Sequence, residues 1–292
     1  MEGVIIKGMG GLYTARDAQG ETYVLRCKGK FRRMHMAPLV GDRIVFTPGA
    51  GDQHGWLDEI LPRISESLRP PVANVELMML VMAPAPAPDL LLIDRLMIRA
   101  RRQQIQPIIV LNKCDLDETG LAEEIAQQYA DAQTPFFKVS AREGIGLEAL
   151  KKAMAGKLTC FAGQSGVGKS TLLNALFGWE LKTGEISQKI ARGRHTTRHA
   201  EMMEQDGLRV LDTPGFSMLD LEDRMDPVLL QQSYPEFEPY LGQCRFAPCY
   251  HHKEPGCRIL EAAKEGCISP QRLERYHHLL ELAKEEWRNR YD

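Results

Sequence analysis

The chain has 292 residues and a mass of 32.9 kDa, which suffices for two or three domains and at least one substantial core. Hydrophobic residues make up 43% and charged residues 26%, and these proportions exclude a disordered or collagen-like chain. The formal net charge of −2 excludes a globally basic nucleic-acid-binding protein, so any affinity for RNA must come from a local patch.

The start of the chain and its apolar runs predict a cytoplasmic protein. The first residues, MEGVIIKGMGG, lack the basic start and continuous apolar stretch of a signal peptide. The longest apolar run, LMMLVMAPAPAP, is short and interrupted by prolines, so no membrane association is expected. In that compartment, seven cysteines favour free thiols and a metal site over a disulfide framework. We expect a monomer.

Three regions follow one another along the chain. Residues 1–68 contain short alternating runs separated by turn signals, which predict a small β-barrel. Residues 72–218 alternate apolar strands with amphipathic helices, which predicts a mostly parallel sheet covered by helices. Residues 219–292 hold a Cys/His cluster and a helix that begins after Ser269, at Pro270. The apolar stripe predicted for this helix comprises Leu273, Tyr276, Leu280 and Trp287.

The segment GQSGVGKS, residues 163–170, has the spacing of a phosphate-binding loop. Its glycines let the backbone approach phosphate groups, Lys169 places a positive charge beside them, and Ser170 offers a hydroxyl to Mg²⁺. The strand LTCFA precedes it and the helix TLLNALFG follows, as such a loop requires. A chance glycine-rich turn is the alternative, and this context argues against it.

The segment NKCD, residues 112–115, predicts guanine recognition. It follows the strand PIIVL, at the sheet edge where ligands bind in such folds. Asp115 can accept two hydrogen bonds from guanine, whose N1 and N2 are donors, while adenine offers an acceptor and a bare carbon there. Asn112 and Lys113 would brace the loop and the base. The segment is weak evidence alone, because these are ordinary turn residues, but it gains weight beside the phosphate loop.

Two further segments complete the predicted nucleotide site. SAR, residues 140–142, is expected to supply a backbone N–H to the guanine oxygen. DTPG, residues 212–215, ends an apolar strand and places Asp212 near the metal and Gly215 near the γ-phosphate. The residues assigned to the nucleotide are Asn112, Lys113, Cys114, Asp115, Ser140, Ala141, Gly163, Gln164, Ser165, Gly166, Val167, Gly168, Lys169, Ser170, Thr171, Asp212 and Gly215.

The order of these motifs is unusual. NKCD and SAR precede GQSGVGKS, and DTPG comes last, whereas most GTP-binding proteins begin with the phosphate loop. The usual series has been cut between DxxG and NKxD and rejoined through residues 143–157. Circular permutation preserves a sheet while it moves the chain ends, so the order predicts a circularly permuted GTPase domain.

The catalytic group is less clear from the residues. Many GTPases carry a water-orienting glutamine directly after DxxG, but Phe216 stands at that position and cannot orient water by hydrogen bonding. In ARGRHTTRHAE, Thr197 or Thr196 would bind Mg²⁺, and His195 could position the attacking water. The alternative is that His195 contacts RNA or solvent.

The cysteine cluster predicts a structural zinc site. Cys244, Cys249 and Cys257, together with His251 or His252, place three thiolates and one imidazole within fourteen residues. This Cys₃His set fills a tetrahedral zinc and leaves no open position for catalysis. Several unliganded thiols are the alternative.

The segment RCKGKFRR forms a local basic patch in the predicted barrel. Its cationic residues are Arg26, Lys28, Lys30, Arg32 and Arg33. Tyr23 and Phe31 add possible stacking faces for bases. A solvated hairpin is the alternative interpretation.

The permuted order, the GRHTTRH segment at 193–199 and CRFAPCYHHKEPGC at 244–257 together resemble the RsgA family, also called YjeQ or YloQ. The resemblance covers nearly the whole chain. It implies an OB-type barrel that binds rRNA, a permuted Mg²⁺-dependent GTPase domain, and a helical domain whose single zinc is held by His251 and the three cysteines. It also implies a GTPase that binds the small ribosomal subunit late in maturation, is stimulated by it, and leaves after hydrolysis.

Two other functions remain open on the residues. One is a GTP-regulated RNA-binding module in which turnover is incidental. Ribosomal subunits would not stimulate GTP hydrolysis by such a module, whereas they would stimulate it in the enzyme. An RNA-modifying or transport ATPase is opposed by NKCD, because that motif selects guanine.

Overall fold

The structure is a computed structural model that describes residues 1–34, 36–51, 53–68, 70–178, 200–212 and 225–289. The predicted residues His195, Thr196, Thr197 and Gly215 lie outside this part of the chain, as do the side chains of Arg32 and Asp212. Among the described residues, no helix combines the length and the apolar character that crossing a membrane requires.

The described residues form the following strands and helices. The strands are β1 Glu2–Met9, β2 Leu12–Asp17, β3 Thr22–Cys27, β4 Arg43–Thr47, β5 Gly55–Ile60, β6 Glu66–Leu68, β7 Pro71–Ala73, β8 Leu77–Met82, β9 Gln106–Leu111, β10 Phe136–Lys138, β11 Leu158–Ala162, β12 Glu201–Gln205 and β13 Leu208–Asp212. The α-helices are α1 Lys30–Arg33, α2 Leu90–Arg102, α3 Leu121–Gln128, α4 Leu147–Met154, α5 Lys169–Phe177, α6 Arg258–Lys264 and α7 Pro270–Arg288. Shorter 3-10 helices span Cys114–Leu116, Pro227–Ser233 and Pro235–Tyr240.

The first five strands close into a barrel. β1 pairs with both β2 and β4, β3 pairs with β2 and with β5, and β4 completes the ring with β5. Alternate residues of these strands fill the interior, among them Ile5, Leu25, Ile44, Phe46 and Leu57, all fully buried. A five-stranded barrel with this order is the OB type, which confirms the prediction.

The central sheet has the strand order β10-β9-β8-β11-β13-β12, and β12 is its antiparallel member. Every residue of β8 is buried, because hydrophobic clusters cover both faces of the sheet. β11 leads into residues 163–168 and lies between β8 and β13. Strands β8, β9 and β10 therefore precede the phosphate-loop strand in the chain and lie to one side of it in the sheet, with β8 as its neighbour. This arrangement agrees with a circular permutation.

The barrel and the central sheet are hydrogen-bonded to each other through β1 and β12. Lys7 and Glu201 are opposite each other in this antiparallel pair, and their charged groups lie 3.2 Å apart. Arg16 of β2 lies 3.2 Å from Glu204 of β12. Both ion pairs are solvent-accessible, so each contributes little to stability. Their main effect is to favour this register of β1 against β12.

The described C-terminal residues pack short helices and the long helix α7 around an aromatic core. Tyr234, Phe237 and Tyr276 are buried, and their ring centroids lie 5.0 to 5.1 Å apart. The helix α7 begins at Pro270 as predicted, and the Ser269 hydroxyl caps it by accepting a hydrogen bond from the Arg272 amide at 3.3 Å. The predicted apolar stripe of α7 is confirmed, with Trp287 only half-buried.

A buried ionic cluster joins this C-terminal region to α2. The Arg272 side chain is only 2% exposed and contacts Asp94 at 2.5 Å and Glu236 at 2.6 Å. Arg275 reaches the second oxygen of Asp94 at 2.6 Å, and the Tyr129 hydroxyl donates to the first, also at 2.6 Å. Burial opposes the charge on Arg272, but the two carboxylates outweigh it and raise the pKa of the guanidinium. The cluster holds because every charge has a partner.

We expect Arg272→Ala to lower the free energy of unfolding by about 3–5 kcal/mol, because Asp94 and Glu236 would be left buried without their shared cation. Arg258→Ala is the matched control, since Arg258, at the start of α6, forms partly exposed pairs with Glu261 and with Glu265, which follows the helix. The control should cost about 1 kcal/mol or less. Urea unfolding followed by circular dichroism measures both, and equal midpoints would show that the cluster does not stabilise the protein.

Candidate functional site

The predicted phosphate loop connects β11 to α5 in a shape that requires glycine. Gly163 has a φ of 133°, and a Cβ there would lie 2.0 Å from the Val81 carbonyl oxygen of β8. Gly168, at the N-terminus of α5, has a φ of 89°, and its Cβ would lie 2.6 Å from the Asn112 side-chain nitrogen. A side chain at either position would push the loop away from its neighbours.

Lys169 folds back over this loop. Its ammonium donates hydrogen bonds to the carbonyl oxygens of Gly163 and Gln164, each at 2.7 Å. Burial lowers the pKa of Lys169, because the charged form loses solvent. Ser170 is half-buried in the first turn of α5, and Thr171 is exposed. The loop thus concentrates positive charge and helix N–H groups at one point, as an anion site requires.

Asn112 holds three loops together at the carboxyl edge of the sheet. Its side chain is 1% exposed, and its amide donates to the Val167 carbonyl oxygen at 2.9 Å. Its side-chain oxygen accepts the Ala141 N–H at 3.2 Å. NKCD, the phosphate loop and SAR therefore meet at this one residue. A guanine oxygen would compete with Asn112 for the Ala141 N–H.

The rest of NKCD is shaped by the turn that follows Asn112. Lys113 has a positive φ of 58°, and its ammonium donates to the carbonyl oxygens of Ala85 at 2.7 Å and Gly166 at 2.8 Å. The Cys114 N–H donates to Val139 at 3.1 Å, and Asp115 follows as an exposed side chain.

Two neighbouring side chains serve the local turns. The Asp117 carboxylate accepts the N–H groups of Leu121 and Ala122 at the start of α3, at 3.0 and 2.8 Å. Those backbone bonds lower its pKa. Ser140 is buried, and its hydroxyl accepts the Glu143 N–H at 3.1 Å. Asp115 is therefore an exposed acid of this loop, whereas the Asp117 carboxylate is taken up by the start of α3.

Asp212 ends β13, the strand next to β11 in the sheet, and Leu211 pairs with Cys160 of β11. Its backbone thus lies at the same sheet edge as the phosphate loop. The other predicted γ-phosphate and magnesium residues, Gly215 and Thr197, lie outside the described residues, as does His195.

Four C-terminal side chains converge on one point. The ligand atoms of Cys244, Cys249, His251 and Cys257 all lie within 4.8 Å of one another. His251 Nδ1 is 3.6 Å from the Cys244 sulfur and 3.3 Å from the Cys257 sulfur. Burial raises the pKa of the Cys249 thiol. This donor set suits a closed tetrahedral zinc.

The outer contacts decide between the two candidate histidines. His251 Nε2 donates to the Gln231 side-chain oxygen at 2.5 Å, which leaves Nδ1 with its lone pair toward the sulfurs. His252 is directed elsewhere: it lies 3.4 Å from Glu281, and its ring centroid lies 4.8 Å from that of His277, with the rings tilted by 40°. The cluster therefore uses His251.

Sequence reasoning missed Gln231, which lies twenty residues before His251 in the 3-10 helix Pro227–Ser233. Its amide nitrogen donates to the Val228 carbonyl oxygen at 2.7 Å, which turns the amide oxygen toward His251. No local pattern marks this residue, because its partner is brought to it by the fold.

The barrel surface corrects the expected stacking faces. Phe31 is only 3% exposed and belongs to the barrel core, and Tyr23 packs on Phe46 with its hydroxyl bonded to Asp17. Both rings are occupied because a small barrel needs large side chains to fill it. Trp56 of β5 is instead 46% exposed and pairs in register with Arg26 of β3.

The basic side chains of this segment differ in their surroundings. Arg26 and Arg33 are exposed, Lys28 pairs with Asp58, and the Lys30 ammonium lies 5.2 Å from the centroid of the Phe31 ring. Lys28 is thus partly neutralised.

The comparisons with known proteins agree with this geometry. The family model described as RsgA GTPase matches residues 60–222, and the one described as RsgA N-terminal domain matches residues 2–57. This chain belongs to the RsgA GTPase family. As a member of that family it is a circularly permuted GTPase with an OB-type barrel and a Cys₃His cluster that suits zinc.

Relatives of this RsgA-family GTPase match it over nearly their whole length. Proteins named small ribosomal subunit biogenesis GTPase RsgA are 44% identical in Ruminiclostridium cellulolyticum, covering 97% of this chain and 94% of the relative, and 42% in Geobacillus thermodenitrificans, covering 97% and 98%. The structure of YjeQ from Thermotoga maritima is 34% identical, with a TM-score of 0.84 over 97% of this chain and 98% of that one. That of YloQ, described as a circularly permuted GTPase, is 32% identical, with a TM-score of 0.81 over 97% and 95%.

We expect Gln231→Leu to weaken zinc binding by about 10- to 100-fold, because His251 loses the acceptor that fixes its tautomer and ring orientation. The matched control is Gln232→Leu, which changes an exposed neighbour in the same 3-10 helix. Competition with a chromogenic chelator gives both affinities. Equal zinc retention in the two variants would remove Gln231 from the metal site.

Proposed function

We propose that this GTPase binds the small ribosomal subunit during its biogenesis and hydrolyses GTP to GDP and phosphate to leave it. The observation that carries the proposal is the meeting of NKCD, SAR and the phosphate loop at Asn112, in a family whose relatives are named small ribosomal subunit biogenesis GTPase. The contacts of Asn112 support the binding of a guanine nucleotide, and the names of the relatives support the small ribosomal subunit as the partner.

The nucleotide site is proposed from the side chains at this sheet edge. Asp115 accepts the two guanine donors, and the exposed position of its carboxylate leaves it available for the base. Lys169 exchanges the carbonyl oxygens of Gly163 and Gln164 for phosphate oxygens. This exchange is favourable because a charge-assisted bond to an anion is stronger than one to a neutral carbonyl.

Hydrolysis is proposed to occur by direct attack of water, without a covalent intermediate. Ser170 and Thr197 would hold Mg²⁺, which supplies charge that stabilises the phosphate oxygens when it is bound with GTP. Asp212 and Gly215 would lie near the metal and the γ-phosphate. His195 is proposed to orient the water, since Phe216 follows DTPG in place of a polar residue.

Small-subunit binding is proposed to involve rRNA at the barrel. The basic residues Arg26, Lys28, Lys30, Arg32 and Arg33 supply the positive charge that contact with a phosphate backbone needs. One structural zinc at the Cys₃His cluster would hold the C-terminal region in shape. We propose a monomer that acts in the cytoplasm, with GTP and the small subunit as its partners.

Sedimentation with separated ribosomal subunits tests the proposal. With a non-hydrolysable GTP analogue, the protein should pellet with small subunits and not with large ones, and small subunits should accelerate phosphate release from GTP. A protein that binds subunits with unchanged turnover would instead be an RNA-binding module regulated by GTP.

For guanine recognition, we expect Asp115→Asn to weaken GTP binding at a cost on the order of 1–3 kcal/mol, because the donors of the base lose their carboxylate. Xanthosine triphosphate should bind the variant better than the wild type, since its extra carbonyl accepts from the new amide. Glu118→Gln, at an exposed neighbouring acid, is the control. Titration with fluorescent nucleotides measures the affinities of the wild type and of both variants. Unchanged GTP affinity in Asp115→Asn would refute the assignment of Asp115 to guanine.

For catalysis, we expect His195→Ala to leave the binding of GTP and of the small subunit nearly intact while it slows subunit-stimulated phosphate release by about 100-fold or more. The variant should remain on the particle for longer, because release follows hydrolysis. Phosphate release and the bound fraction are measured side by side. Normal stimulated turnover would assign the water to another group, such as rRNA or a backbone amide.

A further inference from the structure

The beginning of α2 is attached to the phosphate loop. The side-chain oxygen of Gln164 accepts the Asp89 N–H at 3.0 Å. Asp89 is the residue that caps α2, since its carboxylate accepts the Leu92 N–H at 2.9 Å. Gln164 therefore connects the loop directly to the first turn of this helix.

Residues 83–88, which precede α2, touch the same loop twice more. The Lys113 ammonium bridges the carbonyl oxygens of Ala85 and Gly166. The ring of Pro86 lies against Gly166, where an added Cβ would be 3.6 Å from the proline Cδ. A shift of α2 along its axis would disturb all of these contacts together.

The middle of α2 is attached to the C-terminal region. Asp94 lies about 7.5 Å along the helix from Asp89, is fully buried, and binds both Arg272 and Arg275 of α7. At the last turn of α2, Arg101 donates to the Ser233 carbonyl oxygen at 2.8 Å. One rigid helix thus contacts the predicted nucleotide site at one end and the zinc-held region along its length.

We propose that Gln164 and Asp94 are positioning residues that use α2 to hold the phosphate loop in place, so that nucleotide affinity depends on the docking of α7. The inference rests on the proposed GTP site. When α7 undocks, α2 loses its contact at Asp94 and the Asp89 N–H moves away from Gln164. The phosphate loop is then less ordered before binding. Because the nucleotide must order it, binding is weaker. By linkage, a bound nucleotide must tighten the docking of α7 by the same factor.

The contacts of α2 with Gln164 and with Arg275 can each be altered without removing the fold. The Gln164–Asp89 bond is solvent-accessible, so Gln164→Leu leaves an amide that water can satisfy. Asp94→Asn would leave Arg272 poorly paired in the interior and risks unfolding. Arg275→Gln is milder: Arg275 is partly exposed, and the Arg272 pair with Asp94 remains.

The test is a double-mutant cycle with a fluorescent GDP analogue as the probe. Gln164→Leu and Arg275→Gln should each weaken binding by about threefold to tenfold, and the double variant should lose less than the product, because either change disconnects the same helix. Arg258→Gln, at the exposed ion pairs of α6, should bind like the wild type.

Hydrogen exchange supplies a readout that a structural role alone would not move. GDP should slow amide exchange in Pro270–Arg288 of the wild type, and this protection should be lost in Gln164→Leu. Effects that multiply in the double variant, or protection that persists in Gln164→Leu, would overturn the inference. Lys169→Ala, in the phosphate loop, is the control for the GTP site. If this variant lost GDP binding while Gln164→Leu and Arg275→Gln bound GDP like the wild type, the GTP site would be supported and the proposed role of α2 would be wrong. A wild type that does not bind GDP would refute the GTP site itself.

Discussion

The side chain of Asn112 is the contact on which the site depends. It is almost fully buried, donates to the phosphate loop through Val167, and accepts from the SAR segment through Ala141. These bonds are between loops that lie far apart in the chain and meet only because strands β8, β9, β10 and β11 are neighbours in the sheet. A buried amide left without these partners would cost about 1–3 kcal/mol, so the loops and the residue fix one another. Spatial arrangement, and not chain order, is what the nucleotide site requires.

The sequence predicted well where chemistry is local. The Ser269 cap and the cysteine spacing act through neighbours within a few residues, and the positive φ values of Gly163, Gly166 and Gly168 are local properties of one turn. It failed where a partner is distant. No local pattern marks Arg272 as buried, and only the fold shows that it pairs with Asp94 and Glu236. Phe31 was misjudged for the same reason, because its burial depends on the closure of the barrel and not on the basic residues beside it.

Among the described residues, the barrel and the C-terminal region contact the GTPase domain in different ways. β1 pairs with β12 by backbone hydrogen bonds flanked by solvent-accessible ion pairs, so the barrel is attached through a sheet edge. The C-terminal region is attached through the buried charges of Asp94, Arg272 and Glu236, which tolerate little displacement because each would lose its partner. The first connection can bend with the sheet, while the second resists sliding.

The buried strand β8 has a consequence for synthesis of the protein. Its six residues are wholly apolar, and its partner β11 begins about 75 residues later in the chain. At about 5–20 residues per second, one edge of β8 waits about 4–15 s for that partner to be made. An unpaired apolar strand edge invites pairing with other chains. In the permuted order, β8 is therefore exposed to aggregation until β11 is made. In the ordinary order the phosphate-loop strand is made first, so the strand equivalent to β8 finds this partner already present.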